Sequence, residues 1–424
     1  MKMPALHTTC SLLGFLSLCA LAPAAYATEE TKDPYEGMLL GDVAGMRGKL
    51  SDAGVDVAVE YKADILSVPA GGIKHGGNYL DNLDIKFALD GEKLFGIKGN
   101  KALIYFINND GGKPNARRVG STQGIDNIEV ATNTFKLYEA WVDQSFLDEK
   151  LSVLVGLHDL NSEFDETDMT ANFLKPTMQI GQTFAQSGQN GPSIFPTTSL
   201  ATRVKIVPME ESYLSAAIFD GVPGDPNFPH GTHIDLRPRD GLLLVAEAGY
   251  TPKPSDQLDA TFNKFGVGAW TYSKGMNDLV DVDAGGNPVK NRMMGAYILS
   301  AYQFYHDKDA GRDLGAFLRA GIADGDTAQV DWDYELGVVA NGWIPARPDG
   351  EIGFGLSQAH NSDKYIGSLA GASARSEYSF ELYYRDQIVK GFSVQPDFQY
   401  IINPGTAPAA RNAAVIGIRL DINF

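Results

Sequence analysis

The last fourteen residues, Arg411 to Phe424, alternate between apolar and polar side chains almost without interruption. Successive side chains of a β-strand point to opposite faces, so this alternation predicts a strand with one face in an apolar medium and one in water. The apolar file closes on Phe424, and aromatic residues are typical of the interfacial girdles of membrane barrels. We therefore expect this segment to be the closing strand of a bacterial outer-membrane barrel.

Similar alternating runs recur from Gly54 onward, most of them near the roughly 9–11 residues that a tilted membrane-spanning strand needs. Short turns and long loops alternate between them, which is typical of outer-membrane barrels whose short turns face the periplasm. The sequence therefore predicts an all-β fold, a transmembrane antiparallel up-and-down β-barrel of about 16 strands with an inward-folding long loop. The predicted strands are 54–66, 78–90, 101–109, 135–146, 149–158, 197–207, 211–220, 241–251, 258–273, 293–305, 313–321, 331–343, 350–358, 373–385, 391–401 and 411–424.

The N-terminus predicts export. Lys2 precedes an apolar run, Ser11–Leu21, and Ala25-Tyr26-Ala27 has the small-x-small pattern of a signal-peptide cleavage site. The apolar run is shorter than the roughly 20 residues that a membrane anchor requires. We expect a signal peptide over residues 1–27, cut after Ala27, an N-terminal segment with a short helix over 28–53, and the barrel over 54–424.

Composition narrows the compartment and the partners. Both cysteines, Cys10 and Cys19, lie inside the predicted signal peptide, which fits a disulfide-free protein of the bacterial periplasm or outer membrane. The net charge of −18 argues against nucleic acid as a partner. Acidic loops would suit an outer-membrane surface where divalent cations bridge them to lipopolysaccharide, although ordinary solubility would explain the charge equally well.

Several segments, taken in order along the chain, carry a family resemblance. They are Leu137–Asp165, Gly191–Pro196, Phe219–Pro226, Glu381–Arg385, Val394–Gly405 and Gly417–Phe424. Together they resemble the carbohydrate-selective porins of the OprB family, and Gly41–Gly54 resembles the family's opening GDWGGLR stretch, with DVAGMR as a departure. The resemblance implies a 16-stranded outer-membrane barrel that admits monosaccharides such as glucose by diffusion. It also implies that Phe424 belongs to the signal read by the barrel-assembly machinery.

A sugar has no charge and many hydroxyl groups, so a selective pore should offer hydrogen-bonding side chains and an aromatic surface at a narrow point. Alternation puts Glu139, Trp141 and Asp143 on one face, opposite Tyr138, and the Asp159–Pro196 loop is long enough to restrict the lumen. The alternative is that such charges only solvate a wide lumen and hold its wall together. The candidate pore-lining residues are Glu139, Trp141, Asp143, Glu163, Asp165, Phe195, Arg203, Lys205, Arg319, Glu381 and Arg385.

Enzyme and metal motifs are weak. His158 and Asp159 stand near Asn161 and Ser162, but residues at a strand end point in different directions, so a catalytic triad is not expected. His230 and His233 have ligand spacing without an acidic or thiol partner, and we predict neither a metal nor a cofactor. The alternatives to a sugar porin are a general diffusion porin, an outer-membrane barrel enzyme acting on lipid, and a structural or adhesive barrel. The pattern leaves open which sugar is carried and whether barrels form a homotrimer.

Overall fold

The computed structural model describes residues 35, 37–253, 263–369, 371 and 373–424. Sixteen antiparallel strands form a closed barrel in which the first strand pairs with the last. Each of the sixteen predicted strands corresponds to one barrel strand, so the predicted fold class is confirmed. The predicted signal peptide, and residues 258–262 of the ninth predicted strand, lie outside the described part of the chain.

Chain order gives the barrel strands, one further hairpin and four α-helices. The barrel strands are β1 (Val55–Gly72), β2 (Gly76–Asp90), β3 (Asn100–Gly111), β4 (Thr134–Phe146), β5 (Leu151–His158), β6 (Ser199–Ile206), β7 (Ser212–Asp220), β8 (Leu242–Tyr250), β9 (Lys264–Tyr272), β12 (Met294–Asp307), β13 (Arg312–Ala323), β14 (Val330–Asn341), β15 (Glu351–Asn361), β16 (Ser376–Val389), β17 (Phe392–Ile402) and β18 (Arg411–Asn423). The hairpin is β10 (Met276–Val282) and β11 (Pro288–Asn291). The helices of the described residues are α1 (Met46–Asp52), α2 (Gly91–Phe95), α3 (Gln182–Ala185) and α4 (Asp363–Ser368), and none of them is long and apolar enough to span a membrane.

The two ends of the chain meet at the barrel seam. The amide of Phe424 donates to the carbonyl of Val59 at 2.9 Å, next to the β1–β18 ladder. Leu39 donates its amide to the carbonyl of Asn423 at 2.8 Å, and Arg47 of α1 reaches the carbonyl of Phe424 at 2.6 Å. The short helix predicted before the barrel is therefore present, and it packs beneath the closing strand on the side of the short turns.

The two faces of the wall differ in the way that the sequence alternation predicts. On β18, Ile416 points outward and is 48% exposed, whereas Arg419 points into the barrel and is 3% exposed. Outward apolar side chains meet lipid in an outer-membrane barrel, and inward polar ones meet the lumen. The inward face is more enclosed than an open tube would allow because two loops fold into the barrel.

The constriction loop, residues 159–198 between β5 and β6, is one of these loops. Its Phe184 stacks on Trp270 of β9 with ring centroids 5.0 Å apart, and its Phe173 packs edge-on against Tyr383 of β16 at 4.9 Å. The contacts span the lumen from β9 to β16, so apolar burial holds the loop inside the barrel. The predicted inward-folding long loop is therefore present.

The second inner loop, residues 112–133 between β3 and β4, also folds inward, which the sequence analysis did not anticipate. Its Val119 and Ile125 are completely buried, and they pack in one apolar cluster with Leu66 of β1 and Ile401 of β17. The loop fills the lumen beside β1, β17 and β18. The two inner loops together narrow the lumen.

The connection between the predicted strands 258–273 and 293–305, for which no strand was predicted, contains the β10–β11 hairpin. Lys364 of α4 lies 2.5 Å from a carboxylate oxygen of Asp278 and 2.7 Å from one of Asp281 on β10. These ion pairs tie the hairpin to the next long loops on the same side of the barrel, so the rim of the long loops is cross-linked.

Candidate pore constriction

A cluster of charged side chains joins the wall to the constriction loop. Arg203 on β6 donates from Nη2 to Oε1 of Glu163 in the loop at 2.8 Å, and from Nε to the same oxygen at 3.1 Å. Nη2 also lies 3.2 Å from Oδ2 of Asp143 on β4. Lys205, two residues further along β6, faces the same side and is half-buried. The structure thus brings together four candidates taken from three separate segments.

Glu139 organises the adjoining part of the wall. Its Oε2 accepts hydrogen bonds from the indole Nε1 of Trp141 at 3.1 Å and from the amide of Asp159 at 3.0 Å. Nδ1 of His158 lies 3.0 Å from the same oxygen, and the imidazole ring lies edge-on to the Trp141 ring at 6.2 Å. The indole is therefore fixed in orientation while one part of it remains exposed to the lumen.

The side chain of Tyr138 points into the barrel, although the alternation predicted that it points outward. Tyr105 of β3 pairs with Glu139, but the next residue, Phe106, pairs with Leu137, so Tyr138 is an extra residue in β4. Such a β-bulge lets two successive side chains leave on the same side of the sheet. Tyr138 is accordingly 3% exposed inside the barrel, where its hydroxyl donates to Asp159, and it does not lie opposite Glu139 as the alternation predicted.

Phe195 lies at the exit of the constriction loop. Its ring packs against Tyr138 with centroids 6.0 Å apart. It is half-buried, and it therefore supports the wall beside the charged cluster instead of extending into the middle of the lumen. The sequence placed Phe195 in the long loop, but it did not predict the contact with Tyr138.

Three candidates lie in the contact between the constriction loop and the far wall, whereas they were predicted to line the pore surface. Nε of Arg319 on β13 donates to Oδ1 of Asp165 at 2.7 Å, and its guanidinium also donates to the carbonyl of Met178 at 3.0 Å. Glu381 of β16 accepts from the amide of Leu174 at 2.6 Å. The candidates Asp165, Arg319 and Glu381 are at most 1% exposed.

The electrostatics of the loop follow from this burial. Burial raises the pKa of Asp165 to about 6, although Arg319 opposes the shift. Burial lowers the pKa of Lys175 to about 8, against the opposing effect of Glu377 and Glu381. At Glu163 burial alone would raise the pKa, but Arg203, His158 and Lys205 together outweigh it and hold the pKa of that carboxyl below its usual range. Glu163 therefore remains charged at neutral pH beside Arg203.

A second set of charged residues, which was not among the predicted pore-lining candidates, continues the cluster around the wall. Lys62 of β1 lies 2.7 Å from a carboxylate oxygen of Glu60 and 3.7 Å from one of Asp84 on β2. Strand register places Asp84 beside Glu60 and Lys86 beside Tyr105, and Lys86 lies over that ring at 4.6 Å. The alternation along β1 is consistent with the inward direction of Glu60 and Lys62, but it does not show which of the inward charges lie near the constriction loop.

Arg385, the remaining candidate, belongs to the same band. Its Nη2 lies 2.7 Å from Oδ2 of Asp421 on β18, and Asp421 stands opposite Lys62 in the β1–β18 register. The charged band therefore runs from β16 through the seam to β6. Because cations and anions are interspersed along it, the band offers donors and acceptors to a solute without a strong excess of one sign.

In the part of the chain that the structure describes, the residues considered for a catalytic triad or a metal pair have other partners. Ser162 donates its hydroxyl to the carbonyl of Asp159 at 2.7 Å, while Nδ1 of His158 faces Glu139. His233 directs its Nε2 to the carbonyl of His230 at 2.9 Å. Within the described ranges, no group of three or more His, Cys, Asp or Glu side chains could hold a metal ion.

Comparisons with known proteins agree on one family. The model of the carbohydrate-selective porin, OprB family, matches residues 74–424. Porin B of Pseudomonas aeruginosa is 27% identical over 458 residues, covering 99% of this chain and 98% of its own. The putative porin QuiX of Acinetobacter baylyi is 23% identical over 449 residues, covering 97% and 99%. A high-pH structure of OprB from Pseudomonas putida superposes with a TM-score of 0.82 at 22% identity, covering 93% of this chain and 100% of that one.

Proposed function

The chain belongs to the OprB family of carbohydrate-selective porins, and we propose that neutral monosaccharides such as glucose cross its constriction by passive diffusion. A sugar-selective channel of the outer membrane is what the family assignment and the closed sixteen-stranded barrel support together. Family and fold favour a channel over an enzyme. The proposal concerns the solute and the residues that select it.

The observation that carries the proposal is the position of Arg203 between Glu163 of the constriction loop and Asp143 of the wall. Carboxylate oxygens accept hydrogen bonds from sugar hydroxyls, and a guanidinium donates to them. The exposed part of the Trp141 indole adds an apolar surface for the C–H face of a pyranose ring. A hydroxylated ring would therefore exchange water for several polar partners at one narrow point.

The pairing of the charges suits a neutral and weakly held solute. A strong excess of either sign would favour ions of the opposite charge. In paired side chains the two charges largely cancel, so they attract a free ion only weakly. Conduction also requires that a solute leaves as readily as it enters. We propose that Glu139, Trp141, Asp143, Glu163, Arg203 and Lys205 contact the sugar, and that Asp165, Arg319 and Glu381 set the width of the passage by holding the loop.

Single-channel recording with sugar titration tests the proposal. Glucose should reduce the ion current through the purified protein in a saturable way, whereas open-chain sorbitol, which lacks a pyranose ring, should reduce it less. A current that responds to no sugar would contradict the proposal and favour a general diffusion porin. Lipase activity that is lost when His158 is replaced would favour the enzyme alternative.

Maturation and assembly are proposed from the sequence. We propose that residues 1–27 are removed after Ala27, and an N-terminal sequence of the purified protein starting elsewhere than Thr28 would contradict this. Phe424 is proposed as part of the assembly signal, so Phe424→Ala should lower the amount of protein in the outer membrane.

Interactions within the membrane form a separate proposal. The acidic loops would contact lipopolysaccharide through divalent cations, and the barrels would associate as a homotrimer. Native mass spectrometry of detergent-solubilised protein, with and without a chelator, tests both points. A monomer with no lipopolysaccharide adduct under either condition would contradict them.

A further inference from the structure

A cavity of about 390 Å³ lies between the two inner loops, apart from the charged cluster around Arg203. The second inner loop contributes most of its wall, and Pro176 of the constriction loop contributes the rest. Both loops belong to the side of the long connections, which faces the cell exterior in outer-membrane barrels. The cavity therefore stands on the outer approach to the constriction.

Hydrogen bonds fix the walls of the cavity. The Glu129 carboxylate accepts from the amides of Asn115 at 2.7 Å and Ala116 at 3.2 Å. The side chain of Asn115 exchanges two hydrogen bonds with the backbone of Ser121, each 2.9 Å long. Ligands bind more tightly to walls that need no further ordering. The cavity therefore has the form of a preorganised site.

The lining of the cavity has both polar and apolar parts. Lys113 and Glu129 supply charged groups, Asp126 supplies a carboxyl group, and Val130, Ala131 and Pro176 supply the apolar surface. Asp126 is 3% exposed, and its Oδ2 has no hydrogen-bond partner among the described residues. A buried carboxylate oxygen without a partner is costly, so a donor from a bound molecule or water would stabilise it.

The dimensions and chemistry fit one neutral sugar ring. Small-molecule sites generally enclose about 300–1,000 Å³ and combine apolar surface with a few fixed polar groups, and this cavity lies at the lower end of that range. Its lining carries groups of both signs, Lys113 and Glu129, so an ionic solute would be attracted by one and repelled by the other. A pyranose offers hydroxyls to both signs and a C–H face to Val130, Ala131 and Pro176.

We propose that this cavity is an outer subsite that binds one neutral pyranose before it reaches the constriction. The inference rests on the proposed function, because a capture site serves a channel that passes the same solute. Occupancy of the cavity raises the concentration of sugar beside the Arg203 cluster. The Lys113 ammonium is one of its ligands, as a donor to a ring hydroxyl.

Thiol protection tests the subsite directly. Ala131→Cys places a thiol in the cavity lining, and glucose should slow its reaction with a small methanethiosulfonate, followed by mass spectrometry of the labelled peptide. At a glucose concentration about nine times the dissociation constant the reaction should be about tenfold slower, because only unoccupied sites react. Ala284→Cys, at an exposed alanine of the loop between β10 and β11, is the matched control and should react at the same rate with and without glucose.

A pair of lysine substitutions tests the assigned ligand. Lys113 donates to the side chain of Asn133, and Lys290 on β11 donates in the same way to Asn277, away from the cavity. Combined with the thiol at position 131, Lys113→Met should raise the glucose concentration that gives half protection at least about threefold, which is under 1 kcal/mol. Lys290→Met in the same background should leave it unchanged.

The outcomes separate the subsite from the channel function. Equal labelling at position 131 with and without glucose, in a protein whose ion current glucose still reduces, overturns the subsite and leaves the proposed function standing. If glucose protects the thiol at position 131 but does not reduce the ion current, the result supports the subsite and contradicts sugar binding at the constriction. If glucose changes neither labelling nor current, both proposals fail.

Discussion

Arg203 of β6 and Glu163 of the constriction loop share two hydrogen bonds, 2.8 and 3.1 Å long, across the gap between wall and loop. The side chain of Arg203 is 4% exposed and that of Glu163 is 14% exposed, so the pair is shielded from bulk water but still borders the lumen. A charged pair in this setting attracts more strongly than one on an open surface. We propose that the pair sets the width of the passage and also offers polar groups to a solute.

Replacing Arg203 tests this double role. Arg203→Met removes the guanidinium and keeps much of the side-chain length, so Glu163 loses its partner and a sugar loses a donor. We expect the half-blocking glucose concentration to rise about tenfold, the equivalent of about 1.4 kcal/mol or one charge-assisted hydrogen bond. Arg347→Met, which breaks the ion pair with Asp386 at a short turn, is the matched control and should leave glucose block unchanged. If the half-blocking glucose concentration is the same in both variants, Arg203 does not contribute to sugar selection.

Trp141 should contribute through its indole face. Trp141→Ala removes the apolar surface without removing a charge, so glucose block should weaken about fivefold, the equivalent of about 1 kcal/mol. Trp343 at the turn after β14 also has a hydrogen-bonded indole, with Nε1 donating to the carbonyl of Asp313 at 2.8 Å, but it lies far along the chain from the cluster. Trp343→Ala is therefore the control, and a similar loss in both variants would argue against stacking at Trp141.

Arg319 should act through the loop, without touching the sugar. Arg319→Met removes the charged partner of the buried Asp165, which keeps only the hydrogen bond from the amide of Gly181. Breaking a buried ion pair in this way costs about 3–5 kcal/mol in comparable cases. We expect a larger single-channel conductance, a lower melting temperature and weaker discrimination between glucose and sorbitol. Arg312→Met on the same strand, next to Trp343, serves as the control. Unchanged conductance in the Arg319 variant would show that the loop keeps its position without this anchor.

The barrel could be predicted from the sequence because lipid imposes a strict period of two on every strand. The same constraint is missing outside the wall. In the β10–β11 hairpin, Val280 and Val282 are 48% and 59% exposed, and no buried face gives the strands a pattern. The second inner loop did carry a signal, since Val119, Ile125 and Ile128 are unusual in a solvated loop. The position of these apolar residues could have predicted inward packing.

The sequence predicted which side chains of the candidate site point into the barrel, but it did not predict which of them form ion pairs. Alternation gives the inward direction of Glu139 and Arg203, except where the bulge at Tyr138 shifts the phase by one residue. The pairs themselves depend on the path of a loop through the lumen. Arg319 and Asp165 are 154 residues apart in the chain, and no local pattern relates them. The division between residues that border the passage and residues that anchor the loop therefore required the structure.

Asp159, the first residue of the constriction loop, should make stability depend on pH. Burial and then the nearby Glu139 raise its pKa to about 7, against about 3.9 for an unfolded aspartate. A carboxyl whose pKa is raised by folding stabilises the fold fully below the unfolded pKa, and this contribution disappears as the pH rises through 7. A difference of about 3 pKa units corresponds to about 4 kcal/mol as an order of magnitude. Wild-type stability should therefore fall between pH 5 and pH 8.

Asp159→Asn tests this dependence, because the amide keeps an acceptor for Asn161 but cannot ionise. The melting temperature in detergent should decline less between pH 5 and pH 8 in this variant than in the wild type. Asp349→Asn, at an exposed aspartate in the turn between β14 and β15, should show the wild-type decline. If the Asp159 variant declines as steeply as the control, the ionisation of another group governs the pH dependence, and Asp159 is charged in the folded protein throughout this range.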